Sequence, residues 1–416
     1  MIKHDDKLIE PNIAQTSNLR VAIVTETFPP EVNGVAMTLG RIVNGLVQRG
    51  YTVQLVRPRQ ASDNGVSTLE GVEEVLTKGI QIPTYQDLRL GLPKQRRLIK
   101  LWTKNRPDIV HVATEGPLGW SAVAAARKLK LPVTSSFHTN FHSYSQHYGI
   151  GLLQTIIDNY LRKLHNLTDA TMVPTKAMLQ ELQGRGYQNV TKLSRGVSTE
   201  LFSPEKRSQA LRETWGASPD DVVVLLVGRL AKEKNINLVL TSFQAIKLQL
   251  PSAKIVFVGD GPLRDQLEKS CPDAIFAGIR KNEELATHYA SGDLFLFSSL
   301  TETFGNVVPE ALASGLAVVS YDNAAAKELI TTGQNGVLVT AGDELEFVNA
   351  SVDLATNMQK QLAVRQAAAP SVAHLCWDAV HNSFAEILIR ALDNHQRKLS
   401  PANDNPSSFV VNHASA

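Results

Sequence analysis

The chain has 416 residues, 43% of them hydrophobic, which is more than one core usually holds, so we expect two domains. Its 42 Lys and Arg residues nearly balance 40 Asp and Glu residues, which argues against a nucleic-acid-binding protein. Two cysteines exclude a disulfide framework, and the chain shows neither the apolar run of a signal peptide nor a membrane span, so we expect a cytoplasmic protein.

From Leu19 onward, short apolar runs alternate with longer segments of helical periodicity. The apolar runs are LRVAIVT, YTVQLVRP, PDIVHVATEG, LPVTSSF and ATMVPT. Such alternation predicts parallel strands joined by crossover helices. We therefore predict a doubly wound, Rossmann-like domain over residues 19–200, preceded by a flexible stretch over residues 1–18.

The first strand runs into a Pro-Pro turn, and Gly34 then opens a helix in TETFPPEVNGVAMTLG. A glycine at this point lets the backbone approach a phosphate without a side-chain clash. An ordinary Asn-Gly turn explains the same pattern equally well.

A basic segment lies between Leu88 and Pro107. It contains no acidic residue, and its seven basic residues are Arg89, Lys94, Arg96, Arg97, Lys100, Lys104 and Arg106. Three apolar side chains fall on one helical face, namely Leu98, Leu101 and Trp102. An amphipathic helix of this kind can rest on an anionic membrane surface through residues 89–106. A solvated helix that covers the sheet fits the pattern at least as well.

A histidine, His138, follows the run LPVTSSF directly. Ligands of doubly wound sheets bind beyond the carboxyl ends of the strands, so this residue is expected to face the cleft. His142 and His147 are interpreted as packed or solvated side chains.

The alternation stops at SRGVSTELFSP, which predicts a linker, and a second series then begins. Its apolar runs are DVVVLLVGR, AKIVFVGDG, AIFAG, DLFLFSS, LAVVSYD and NGVLV. They predict a second Rossmann-like domain over residues 208–375. The segment CWDAVHNSFAEILIRAL has helical spacing, and a helix is predicted over 376–395, followed by a disordered tail over 396–416.

Two cations follow the first strand of this second series, Arg229 and, five residues later, Lys234. Two cations at the carboxyl end of a strand suit a diphosphate, because they offset its charge and stabilise it as a leaving group. No Asp-x-Asp stands at a strand end in a form that suggests a metal-held diphosphate, so we expect no metal ion.

The segment SSLTETFGNVVPEALASG places Glu302 in the turn after a buried strand and Glu310 inside the following helix. The backbone amides of Phe304, Gly305, Asn306 and Val307 would point out of the helix N-terminus, where they can hold a phosphate. Two carboxylates beside an anion site suit sugar hydroxyls, which donate hydrogen bonds to them. This combination points to a nucleotide sugar.

With these residues the chain resembles the family-four glycosyltransferases of GT-B fold. The signature of that family is two glutamates separated by seven residues, which Glu302 and Glu310 match. The resemblance covers residues 21 to about 392 and implies two domains that face a cleft, with the last helix returning to the first domain. It implies that Glu302 and His138 contact the donor sugar and that Glu310 holds the ribose. Arg229 and Lys234 would bind the donor diphosphate, and Gly34 would lie in a glycine loop that closes over the donor.

The resemblance also implies a retaining hexosyltransferase that uses same-face displacement and no metal. The first donor expectation is GDP-mannose, with UDP-glucose or a similar sugar next, and the acceptor is a glycolipid, a lipopolysaccharide or another glycan. Members that resemble this chain work at the inner membrane leaflet, which favours peripheral binding. The family linker often has aspartate where this chain has Ser198, which weakens inference about the acceptor.

Other functions remain open on the sequence. A GT-B nucleotide-sugar epimerase or a polysaccharide synthase would carry the same donor site. An inactive sugar-nucleotide-binding protein is the non-enzyme alternative, although it would not require Arg229, Lys234, Glu302 and Glu310 together. A Rossmann dehydrogenase is disfavoured because no G-x-G-x-x-G follows the first strand.

Overall fold

The structure is a computed structural model that describes residues 18–31, 33–60, 63, 70–82, 85–138 and 151–399. The predicted flexible stretch 1–18 lies outside these ranges except for its last residue. The predicted tail lies outside them from residue 400 onward, and both His142 and His147 also fall outside.

A sheet of seven parallel strands, in spatial order β3-β2-β1-β6-β7-β8-β9, forms the centre of the first domain in the described chain. These strands are β1 Arg20–Val24, β2 Thr52–Pro58, β3 Val72–Thr77, β6 Ile109–Val112, β7 Val133–Ser136, β8 Ala170–Val173 and β9 Val190–Lys192. The order grows outward from β1 to both edges, which is doubly wound topology. An antiparallel hairpin of β4 Gly79–Ile82 and β5 Tyr85–Gly91, which the sequence patterns did not predict, is inserted after β3.

Helices cover both faces of this sheet. They are α1 Gly34–Gln48, α2 Gln95–Lys104, α3 Pro117–Lys128, α4 Gly151–Asn166 and α5 Lys176–Gly184. Helix α1 shares a buried cluster with β1 and β2 on one face, and α2 and α3 share another cluster with the sheet on the opposite face. The central strands are therefore buried on both sides, as their continuous Val and Ile runs require.

Helix α2 carries the basic segment, and its apolar face belongs to the domain core. Leu98 is 1% exposed and Trp102 is fully buried, and the Trp102 indole donates a hydrogen bond of 2.9 Å to Gln54 Oε1. The outer face presents Arg96, Arg97 and Lys100 to solvent. The apolar stripe therefore packs on the sheet, as the solvated-helix interpretation predicts, and only the basic face is open to a partner.

The second domain has a parallel sheet of order β12-β11-β10-β13-β14-β15. Its strands are β10 Val223–Val227, β11 Lys254–Val258, β12 Ile275–Gly278, β13 Leu294–Phe297, β14 Ala317–Tyr321 and β15 Val337–Val339. Its helices are α6 Gln209–Thr214, α7 Ile236–Gln249, α8 Arg264–Ser270, α9 Asn282–Ser291, α10 Val307–Ala313, α11 Ala324–Leu329, α12 Glu344–Thr356 and α13 Met358–Val372. Buried clusters lie on both faces of this sheet as well.

The chain crosses between the domains twice, and the two crossings lie side by side. The Val197 amide donates to the Leu375 carbonyl at 2.9 Å, and Val197 forms an isolated parallel bridge with Cys376. The last helix, α14 Trp377–Leu399, then packs Val380, Phe384 and Leu388 into the first domain's core. It continues to Leu399, four residues past the predicted end at 395; its buried positions end at Ala391, and His395 and Lys398 beyond them contact Asp169 of the first domain.

The predicted class of two doubly wound Rossmann-like domains with a returning C-terminal helix is thus confirmed. Among the described residues, no helix combines the length and the apolar character that crossing a bilayer requires.

Candidate active site

Lys234 and Glu302 form an ion pair at the carboxyl edge of the second sheet. Lys234 ends a 3-10 turn, Lys232–Lys234, and the next residue, Asn235, adopts the left-handed conformation that asparagine tolerates well. The Ser298 hydroxyl, just after β13, contacts the carbonyls of Lys234 and Asn235 at 3.0 and 2.9 Å. The turn is thereby tied to the strand that leads to Glu302, and Lys234 Nζ also lies 5.7 Å from the Phe297 ring centre.

Arg229 lies at the same edge but is less constrained. Its side chain is 54% exposed, and its contact with Glu233 is 3.8 Å long. A pair of this kind contributes little stability and leaves the guanidinium able to turn toward an anion. The structure therefore places both predicted cations at one strand end, with Lys234 fixed and Arg229 free to move.

Glu310 lies in the first turn of α10 and accepts a hydrogen bond of 3.0 Å from the Tyr289 hydroxyl. Burial raises the pKa of Glu310 to about 7, and the hydrogen bond from Tyr289 offsets part of that rise. Tyr289 is fully buried, so it fixes one carboxylate oxygen from the protein side. The second oxygen can then accept from a ligand hydroxyl.

The segment between the two glutamates turns sharply into α10. The Phe304 ring is 4% exposed and anchors the turn, Gly305 has φ +86°, and Val307 begins the helix. The positive φ explains why glycine follows phenylalanine here. Asn306 precedes the helix, makes no side-chain capping hydrogen bond and faces the first domain.

Gly34 lies opposite Asn306, at the start of α1. Asn33 accepts hydrogen bonds from the amides of Val35 and Ala36 and so caps the helix that Gly34 begins. A Cβ atom on Gly34 would lie 3.3 Å from Asn306 Nδ2, which is tighter than ordinary van der Waals contact. The two domains therefore approach each other closely at this point, and a glycine makes room for that approach.

His138 lies two residues after the end of β7 and contacts both domains. Its backbone amide donates to Glu115 Oε1 at 2.9 Å, and its carbonyl accepts from the Thr303 hydroxyl of the second domain at 3.3 Å. Burial, and after it the charge of Arg195, lowers the pKa of His138 to about 3. The ring is consequently neutral at physiological pH, and it lies next to the loop that carries Glu302.

Two contacts across the cleft thus bring predicted residues together. One joins His138 to the loop that carries Glu302, and the other places Gly34 against Asn306. Lys234 and Glu302 meet within the second domain. Arg229 and Glu310 occupy the same edge without a direct contact to the other predicted residues.

Some residues of the site were not predicted. Arg195 donates to His138 Nδ1, Glu115 accepts from the His138 amide, and Tyr289 donates to Glu310. In the first domain Glu26 follows β1 and accepts from the Leu118 amide at 2.9 Å. Burial, together with the charge of Glu115, raises the pKa of Glu26 to about 7. The sequence feature that could have identified Glu26 and Glu115 as site residues is their position after β1 and β6, at the same sheet edge as His138.

The charges of the site are arranged unevenly. The second domain presents Lys234, which is paired with Glu302, and the loosely paired Arg229, whereas the first domain presents a neutral imidazole next to Glu115. In the described part of the chain, no three His, Cys, Asp or Glu residues are grouped closely enough to hold a metal ion. The linker residue Ser198 uses its carbonyl to accept from the Phe202 amide at 2.8 Å.

Comparison with known proteins matches both domains. Residues 32–201 match the family model described as Glycosyltransferase Family 4, and residues 221–357 match the model described as Glycosyl transferases group 1. The GDP-mannose-dependent alpha-mannosyltransferase of Corynebacterium glutamicum is 32% identical over 363 residues, which cover 87% of this chain and 86% of that protein.

Two further likenesses extend this result. The alpha-monoglucosyldiacylglycerol synthase of Acholeplasma laidlawii is 28% identical over 349 residues, covering 79% of this chain and 86% of that protein. The crystal structure of Anabaena Alr3699/HepE in complex with UDP superimposes with a TM-score of 0.70 at 18% identity, covering 89% of this chain and 100% of that one. At that identity the structural likeness concerns the fold, and it confirms the GT-B arrangement.

Proposed function

Since this chain belongs to glycosyltransferase family 4, we propose that it transfers a hexose, with retention and without a metal ion, from a nucleotide diphosphate sugar to a glycolipid or glycan hydroxyl. The observation that carries the proposal is the Lys234–Glu302 pair, which lies beside Arg229 at the sheet edge that faces His138.

The two cations bind the donor diphosphate in this proposal. Lys234 is 22% exposed in its side chain and Arg229 is 54% exposed, so both can reach a ligand in the cleft. When a diphosphate enters, Lys234 shares its charge between Glu302 and the phosphate oxygens. The same charges stabilise the leaving nucleoside diphosphate as the glycosidic bond breaks, which is work that a metal ion does elsewhere. The amides of Phe304, Gly305, Asn306 and Val307 add hydrogen bonds at the turn into α10.

The two glutamates orient the donor. Glu302 is held by Lys234 and accepts from the donor sugar, while Glu310 is held by Tyr289 and accepts from the ribose hydroxyls. A carboxylate nucleophile works opposite a proton donor, as in paired-acid glycosidases. Glu302 is held by a lysine and Glu310 by a tyrosine, which supports a role for both in orienting the donor. This in turn supports same-face displacement, in which the leaving diphosphate takes the proton of the acceptor.

GDP-mannose is the proposed donor, with UDP-glucose or a related sugar next. The Corynebacterium relative supports this order by its name, and the name of the Acholeplasma relative supports a lipid acceptor. Transfer to a lipid distinguishes this function from an epimerase, which needs no acceptor.

The test is the purified full chain with a panel of GDP- and UDP-sugars, in which donor hydrolysis and transfer to a lipid extract are both measured, with and without EDTA. We expect transfer in EDTA, an α-linked product from an α-linked donor by NMR, and large losses in Glu302→Ala and Arg229→Ala. Loss of activity in EDTA would overturn the metal-free mechanism, and wild-type rates in both variants would overturn the site.

The proposed membrane contact is electrostatic. Because Leu98 and Trp102 are buried, only the basic outer face of α2 can meet an anionic bilayer, at about 1 kcal/mol per basic residue near the surface. We expect sedimentation with anionic but not neutral vesicles, and loss of it when Lys94, Arg97 and Lys100 are changed to Glu. Equal sedimentation with both vesicle types would contradict this contact.

A further inference from the structure

Arg195 occupies the start of the linker and is 6% exposed. Its guanidinium donates to three groups of the first domain, which are His138 Nδ1 at 3.0 Å, the Gly34 carbonyl at 3.2 Å and the Thr38 hydroxyl at 2.5 Å. One side chain therefore joins the His138 ring, the start of α1 and the linker between the domains. Sequence patterns did not single it out.

The contact with His138 determines the chemistry of that ring. Arginine has only donors and stays charged, so Nδ1 of His138 must be the acceptor and its proton must be on Nε2. Among the residues that the structure describes, none accepts a hydrogen bond from Nε2. That N–H is consequently available to a ligand.

The surroundings also keep the ring neutral. Groups that bear on its charge are Arg195, Glu115, His111 and His165, and only Glu115 favours the protonated form. Glu115 is itself engaged, by the His138 amide at 2.9 Å and by His165 Nε2 at 3.8 Å. A neutral imidazole with a fixed tautomer is a hydrogen-bond donor from Nε2 and cannot act as a base there.

We propose that Arg195 is a positioning residue that fixes His138 as the Nε2–H tautomer, so that His138 donates one hydrogen bond to a hydroxyl or ring oxygen of the sugar being transferred. The identity of the ligand rests on the proposed function, whereas the tautomer rests on the geometry alone. Arg195 acts through His138, without touching the substrate.

The first measurement needs no substrate. Imidazole nitrogen-15 shifts are recorded on the full chain, and the His138 signals are assigned from their loss in His138→Gln. Wild type should show an unprotonated Nδ1 and a protonated Nε2 at pH 7, and the same at pH 6. A protonated Nδ1, or a charged ring at pH 6, would overturn the proposal, and this outcome is independent of any failure to find a donor.

The second measurement is a double-mutant cycle on kcat. Arg195→Met should lower kcat about 10- to 100-fold when His138 is present, which is the range for a lost charge-assisted hydrogen bond. In the His138→Ala background the same change should cost less than about threefold. Equal losses in both backgrounds would show a purely structural role for Arg195 and overturn the proposal.

Two further variants complete the design. Arg195→Lys retains one charged donor and should restore the wild-type tautomer and most of kcat, even where Arg195→Met is poorly folded. Thr38→Val removes a different contact of Arg195 and should leave the His138 nitrogen shifts unchanged. A shift of the tautomer in Thr38→Val, or its loss in Arg195→Lys, would contradict control through the Nδ1 contact.

Discussion

The two walls of the cleft are built differently. The wall from the second domain takes its functional groups from two short segments, residues 229–234 and 302–310, each of which follows a parallel strand. The wall from the first domain collects Gly34, His138 and Arg195 from three distant parts of the chain.

Their electrostatics differ in the same way. On the second domain the cations lie at the surface of the cleft, where Arg229 is only loosely paired. On the first domain the cation, Arg195, is buried behind a neutral histidine. A charged side chain that faces solvent can bind an anionic ligand. A buried one has its hydrogen bonds satisfied by the neighbours that it holds in place. We infer that the second domain binds the donor and that the first domain orients what is transferred.

The largest expected effect tests the wall from the second domain, which carries the exposed cations and is called the charged wall below. Lys234→Ala should lower kcat about 100- to 1,000-fold, which is the cost of removing one preorganised stabilising group from a transition state. It also leaves Glu302 without its ion-pair partner, so donor hydrolysis should fall in parallel with transfer. Steady-state kinetics with the donor found in the substrate panel measures both.

The control lies in the same turn. Lys232 is exposed and belongs to the same 3-10 turn, so Lys232→Ala removes an equal charge two residues away. Its kcat should stay within about twofold of wild type, since a solvent-exposed charge contributes little. If both lysine variants lose activity equally, general electrostatic attraction and not a fixed contact explains the charged wall.

A medium effect compares one buried glutamate from each wall. Burial raises the pKa of both Glu310 and Glu26 to about 7, from an ordinary value of 4.5. A raised carboxyl pKa means that the folded state disfavours the ionised form, so the stability that each of these two groups contributes is fully present below pH 4.5 and is lost as the pH rises through 7. Between pH 4.5 and 7, the free energy of unfolding of Glu310→Gln and of Glu26→Gln should each rise relative to wild type by on the order of 1 to 3 kcal/mol.

The same two variants should differ in donor binding. Glu310→Gln replaces a charged acceptor that we assign to the ribose, so the donor KM should rise about 10-fold or more. Glu26→Gln lies on the other wall and should leave the donor KM within about twofold. Chemical unfolding at pH 5 and pH 8, with KM at pH 8, measures the comparison, and an equal rise of KM in both variants would remove the distinction between the walls.

The sequence predicted the second wall better than the first, because Lys234 and Glu302 each lie in a recognisable local pattern and Arg195 does not. Lys234 and Glu302 follow strands within recognisable local patterns, and strand ends of a parallel sheet share an edge. Arg195 is 57 residues from His138, and nothing local connects them. Tyr289 lies within a helix at a position typical of core residues, so its bond to Glu310 had no signal in the sequence.

Helix α2 illustrates a different limit. Helical spacing of Leu98 and Trp102 predicts an apolar face but not what covers that face. A bilayer and a sheet both accept such a stripe, and the structure shows that it packs on the sheet. The hairpin of β4 and β5 was missed because its two alternating runs, Ile80-Gln81-Ile82 and Leu88-Arg89-Leu90, are only three residues long.

The smallest expected effect tests whether the two walls work together. A Cβ on Gly34 would lie 3.3 Å from Asn306 Nδ2, so Gly34→Ala should push the walls slightly apart. We expect kcat/KM to fall about two- to fivefold, with thermal stability unchanged or raised, because alanine favours the helix that begins there. Asn306→Ala removes the contacting amide, so adding Gly34→Ala to it should cost nothing more.

Gly184→Ala, where a Cβ meets nothing within 4 Å, is the matched control and should be neutral. A full additional loss in the Gly34→Ala, Asn306→Ala double variant would mean that Gly34 acts on the donor directly and not through the opposite wall.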